Sequence, residues 1–263
     1  METTRSRDGT QIAFDRQGSG TPLILVAGAL SDRTSAAALA ALLESQFTVF
    51  SYDRRGRGDS GDTRPYSVPR ELEDLSALLE VAGGKAFVFG HSSGAALALE
   101  GAVRSLPMAK LAVYEPPFII DGSREPLPAT YTETLTSLLT SGRRGDAVEY
   151  FLTVAVQVPQ AAVTGMRSSP MWPGMEKIAH TLLYDQAIME GKMSGSGMPA
   201  GAWDSVGIPT LVIEGGASPA WMRNSAAALA KALPKGQHRS LPGQTHGADP
   251  AVLAPVLEAF FLG

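Results

Sequence analysis

Apolar residues along this chain fall into short dense runs, separated by segments with helical spacing. "PLILVAG" (22–28) is one such run, ended by a glycine. It has no polar alternation, the pattern of a strand buried on both faces of a parallel sheet. "FTVFSYD" (47–53), "KAFVFG" (85–90), "KLAVYE" (110–115), "PTLVIEGG" (209–216) and "QHRSLPG" (237–243) read as further strands. Between them, residues 35–45, 68–82, 92–105, 219–233 and 250–262 have helical spacing. Ahead of the first buried run, "DGTQIAFDRQGSGTP" predicts a hairpin with Asp8-Gly9 as its turn. Strands alternating with helices predict an α/β protein with a doubly wound, mostly parallel sheet.

One stretch breaks the alternation. Between about 119 and 206 no strand pattern occurs, and helical spacing is seen at 129–141, 144–157 and 174–191 with proline-rich joints. The expected organisation is a core of residues 1–118 and 207–263 with a helical cap, 119–206, inserted between two strands. The insertion is rich in methionine: Met166, Met171, Met175, Met189, Met193 and Met198. With Trp172 and Phe151 these residues suit an adaptable apolar lid, or they pack the insertion against the body. Met171, Trp172 and Met175 are the expected substrate-pocket residues.

Composition narrows the function. The chain has 263 residues, 44% of them hydrophobic, and a net charge of -4. The Arg54-Arg55 pair with Arg57 is too short for a phosphate-binding face, so nucleic acid is not an expected partner. The absence of cysteine excludes thiolate catalysis, disulfides and Cys-type zinc sites. No secretion-signal pattern and no membrane-length apolar run is seen, so the expectation is a soluble cytoplasmic protein with no membrane partner. Oligomeric state is not legible.

The chemistry begins at "FVFGHSSGAAL", which contains Gly90-His91-Ser92-Ser93-Gly94. This is G-x-S-x-G between a strand and a helix of small residues, the context in which a serine is forced onto a tight, strained turn. Ser92 is the expected nucleophile; the alternative is a helix N-cap. Ser93 then offers its backbone N–H to a developing oxyanion at the helix N-terminus. A serine hydroxyl needs a base. Of four histidines, His246 in "LPGQTHGADP" lies on the loop between the last strand and the last helix.

These features, with "LILVAGA" (23–29), "YDRRGRGDSG" (52–61) and "THG" (245–247), resemble the α/β-hydrolase-fold superfamily over nearly the whole chain. The resemblance implies His246 as the base. It also implies a second backbone oxyanion donor past the first core strand, here Ala29, and a mainly structural turn at 53–60 in which Asp53 or Asp59 binds backbone. The family commonly places its third triad member three residues after the glycine that ends the strand "LVIEG". Here that position is Ser218, which cannot hold charge. Some relatives carry the acid after the strand that follows the nucleophile helix, and in this chain that residue is Glu115. It is therefore read as the acid, or else as a buried carboxylate that ties down the base of the insertion. Glu214, Asp249 and Asp204 are its rivals.

The expected activity is hydrolysis of a carboxylic ester or lactone of an apolar small molecule through an acyl-serine intermediate, with no cofactor and no metal. Carbon–carbon bond hydrolysis, thioester hydrolysis and cofactor-free perhydrolysis use the same triad. A non-catalytic ligand receptor on this fold is the reading of a different class.

Overall fold

The computed structural model describes residues 1–198 and 200–263. Its core is one eight-stranded sheet. The strands are β1 (Glu2–Arg5), β2 (Gln11–Gly18), β3 (Thr21–Val26), β4 (Phe47–Tyr52), β5 (Ala86–His91), β6 (Met108–Tyr114), β7 (Thr210–Gly215) and β8 (Gly236–Leu241). Their spatial order is β1-β2-β4-β3-β5-β6-β7-β8. The β1–β2 hairpin and its junction with β4 are antiparallel, and every later pairing is parallel.

The apolar runs are continuous because each strand feeds two cores. Leu23 and Leu25 point to one face with Phe47, Val49, Phe89 and Ile213. Ile24 and Val26 point to the other with Val88, Leu111, Val113 and Val212. Helices α1 (Ala37–Leu43) and α10 (Pro250–Leu262) cover the first face. Helices α2 (Val68–Val81), α3 (Ser93–Val103) and α9 (Ala220–Ala232) cover the second.

The insertion between β6 and β7 is helical, as expected. It holds α4 (Tyr131–Thr140), α5 (Arg144–Tyr150), α6 (Gln160–Met166), α7 (Trp172–Ile178) and α8 (Leu182–Ile188). Helix α6, behind Pro159, has no counterpart in the sequence reading; a seven-residue helix shows too little of a period. The expected helix over 174–191 is two helices joined by a 3-10 turn, Ala179–Thr181. Helix α5 runs into a π-helical turn, Phe151–Ala155.

The turn after β4 is structural, as the resemblance implied. Asp53 is fully buried and accepts from the backbone N–H of Arg33 at 2.7 Å and of Asp59 at 2.9 Å. The turn carries Arg54, Arg55 and Arg57 inward, each about 1% exposed or less. Buried guanidinium groups need carboxylate partners. Arg55 pairs with Asp74 at 2.6 Å, and Arg54 with Glu71 at 2.6 Å.

The junction of β3, β5 and α3 is packed to backbone contact. A Cβ on Gly94 would lie 2.3 Å from the Val26 carbonyl and 2.5 Å from that of Ala27. Rigid backbone on both sides cannot give way. Gly94→Ala is therefore expected to lower stability by about 3 kcal/mol, while Gly122→Ala, which meets nothing within 4 Å, should change it by less than about 0.5 kcal/mol. Thermal unfolding of both variants checks this.

Candidate active site

The parallel register brings three strand ends together at the carboxyl edge of the sheet. His91 pairs with Tyr114, and the Ser92 N–H donates to the Tyr114 carbonyl at 2.9 Å. One residue on, the Glu115 N–H donates to Ile213 of β7 at 3.0 Å. Ser92 and Glu115 thus leave neighbouring strands side by side.

Both sit in strained backbone. Ser92 has φ 56° and ψ -124°, and Glu115 has φ 45°. Positive φ in a residue with a Cβ costs on the order of 1–3 kcal/mol and is retained where the surroundings force it. At Ser92 the force is the tight passage from β5 into α3. At Glu115 it is the exit from β6 into Pro116-Pro117.

Glu115 is buried, and both carboxylate oxygens are used. Oε1 accepts from the Gly215 N–H at 2.8 Å, and Oε2 lies 2.7 Å from His246 Nδ1. Burial pushes the Glu115 carboxyl up. The His246 ring, the adjacent Ser218 hydroxyl and the Gly215 N–H outweigh it and hold the carboxyl below its usual range. The carboxylate therefore accepts, and His246 carries its proton on Nδ1.

The loop bearing His246 is held at three backbone carbonyls. Ala217 N–H donates to Gln244 at 2.9 Å, the Tyr114 hydroxyl to Thr245 at 2.5 Å, and His91 Nε2 to His246 itself at 2.9 Å. Burial and the nearby His246 ring lower His91 from 6.5 to about 4. His91 is thus a neutral clamp on the loop rather than a base. Neither this role nor that of Tyr114 is legible in the sequence, because both depend on a contact across more than a hundred residues.

Ser92, Ser93, Ala29 and His246 line one cavity of about 60 Å³. Its walls come largely from the insertion, through Tyr131, Phe151, Leu182 and Met189, and from Trp221 on α9. The expected pocket residues are not among them, which corrects the sequence reading. Met171 is 68% exposed, and Trp172 and Met175 pack inside the insertion with Val148 and Val163. Helix α7 packs its apolar side against α5 and α6. A larger cavity of about 460 Å³ lies within the insertion, among Arg143, Arg144, Arg167 and Glu176. It includes neither Ser92 nor His246, and a cavity of about 240 Å³ that His246 also lines does not include Ser92; the smallest of the three holds both.

None of the rivals of Glu115 pairs with His246 among the described residues. Glu214 lies 3.9 Å from His238, and Asp249 caps α10 by accepting from the Ala251 N–H at 2.8 Å. Asp204 is exposed.

Residues 23–256 match the alpha/beta hydrolase family, and the chain belongs to it. An alpha/beta hydrolase from Sphaerobacter thermophilus is 54% identical, with a TM-score of 0.93, over 99% of this chain and 100% of that one. An esterase from a Rhodococcus species shares the fold at 18% identity, with a TM-score of 0.69, over 100% of this chain and 98% of that one. An uncharacterized hydrolase of Bacillus subtilis, YraK, is 30% identical over 116 residues, a match that spans 43% of this chain and 43% of that protein. Among the described residues, no helix is long and apolar enough to cross a membrane.

His91 gives a pH test. Its folded value is depressed, so the stability it contributes is complete above about 6.5 and is lost as pH falls toward about 4. The melting temperature of the parent should therefore drop more between pH 7 and pH 4.5 than that of His91→Asn. Equal drops would show that His91 titrates normally in the fold.

Proposed function

We propose that the protein is a serine hydrolase that cleaves a carboxylic ester or lactone with a short apolar acyl group. The observation that carries this reading is the 2.7 Å Glu115–His246 hydrogen bond beside a strained Ser92 in one shared cavity.

In this reading Ser92 Oγ attacks the ester carbonyl, and His246 Nε2 takes its proton. Glu115 holds the ring by Nδ1 and stabilises the imidazolium. The negative oxygen of the tetrahedral intermediate accepts from the N–H groups of Ala29 and Ser93, the latter at the N-terminus of α3. Collapse expels the alcohol, which takes the proton from His246. A water then repeats the sequence on the acyl-serine and releases the acid.

The insertion acts as a cap in this account. A cavity of about 60 Å³ has room for only a few heavy atoms beyond the reacting carbonyl. Phe151 and Met189, rather than Met171 or Met175, set its depth.

Two tests follow. A fluorophosphonate should label the parent stoichiometrically at Ser92 and leave Ser92→Ala unlabelled, with kcat in the variant lower by about 10³-fold or more. Failure to label the parent would favour a non-catalytic binder. Acetyl and butyryl esters should be better substrates than octanoyl esters for the parent. Phe151→Ala and Met189→Ala should raise kcat/KM for the longer chain relative to the shorter. Unchanged chain preference in both would remove the cap as selector.

A further inference from the structure

We propose that Asp185, carried by the insertion on α8, is a positioning residue that fixes both oxyanion-donating peptides at once. The inference rests on the serine-hydrolase reading and concerns a residue 93 positions from the nucleophile.

Asp185 is 4% exposed and lies at the centre of a buried polar cluster. The Ser93 hydroxyl donates to its Oδ1 at 2.7 Å. Arg57 Nη2 donates to both Oδ1 and Oδ2 at 2.8 Å, and Arg54 Nη1 to Oδ1 at 2.8 Å. Arg54 is shared with Glu71, whose second oxygen accepts from the Tyr66 hydroxyl at 2.6 Å. Two guanidinium groups face two carboxylates, so the cluster is neutral as a whole. Burial pushes the Asp185 carboxyl up, and Arg57, Arg54 and the Ser93 hydroxyl bring it below its ordinary value. It is an anion in the fold.

The cluster reaches the two peptides that matter. Arg57 Nη1 donates to the Gly28 carbonyl at 2.5 Å. That carbonyl belongs to the same planar peptide unit as the Ala29 N–H, and in a trans peptide the two point in opposite directions. Holding the carbonyl therefore aims the N–H. A cation on the carbonyl also polarises the unit and strengthens its donor. The loop has no room to drift: a Cβ on Gly28 would lie 2.9 Å from the Ser92 Cβ. On the other side, Asp185 fixes Ser93 by its side chain while the Ser93 backbone N–H remains free for the substrate. One carboxylate on the insertion therefore sets the spacing between the two donors, which belong to different loops of the sheet.

Full-length Asp185→Asn and Ser93→Ala test this. Asp185→Asn removes the charge that balances Arg57 and can unfold the protein. Ser93→Ala keeps every ion pair and both backbone N–H groups, and removes only the hydroxyl link. Thermal unfolding identifies which variants are folded. The readouts are kcat and KM with a short acyl ester, and affinity for a boronic acid that mimics the tetrahedral intermediate on Ser92. The expected result is a kcat lowered at least about tenfold in Ser93→Ala, with KM within about twofold, and boronate affinity lowered in parallel with kcat. A folded Asp185→Asn should fall further. Parental kcat in folded Ser93→Ala would overturn the inference. A rise in KM at unchanged kcat would also overturn it, because Asp185 would then be a substrate contact. If fluorophosphonate fails to label the parent at Ser92, the serine-hydrolase reading itself falls; normal labelling with unchanged variants removes this inference alone.

Discussion

A single buried carboxylate governs this architecture. Glu115 accepts from His246 Nδ1 at 2.7 Å and from the Gly215 N–H at 2.8 Å, and so joins the ends of β6 and β7 to the loop after β8. A buried charge is costly unless every lone pair is met. Here that requirement locks the His246 ring and the strand end beneath it. The neighbouring constraints follow: Tyr114 and His91 hold the loop backbone, and both Ser92 and Glu115 adopt positive φ where they leave adjacent strands.

The second organising element is the buried cluster of Arg54, Arg57, Glu71 and Asp185. It ties the turn after β4 and helices α2 and α3 to the insertion. Removing one member of such a set leaves an uncompensated buried charge, so these ion pairs hold the insertion in register beside its apolar contacts. That explains how a segment outside the sheet can line the cavity above Ser92 in a fixed register.

Much of this was legible in the sequence. The continuous apolar runs are strands because both faces of the sheet are covered, and the Gly-His-Ser-Ser-Gly turn is visible because only glycine fits beside the backbone of β3. Glu115 was legible because a carboxylate that ends an apolar strand needs a partner, and Ser218 left a vacancy for one. The pocket was not legible. Met171 and Trp172 look like lid residues by composition, yet the direction of α7 is set by packing within the insertion, which spacing alone does not encode. Arg57 and Asp185 were hidden for a related reason. They are 128 residues apart, and a charged residue in a turn or on a short helix reads as solvated until the fold brings its partner to it.

The account depends on Glu115 being the acid that serves His246, and relocating the carboxylate tests this most directly. Ser218 is buried beside Glu115, at the position where the resemblance implies an acid. The measurement is kcat for Glu115→Gln and for the double variant Glu115→Gln/Ser218→Asp, both confirmed as folded. The account predicts a fall of about 10³-fold or more in the single variant and a recovery of at least about tenfold when Asp is placed at 218. A Glu115→Gln enzyme with near-parental kcat would contradict it.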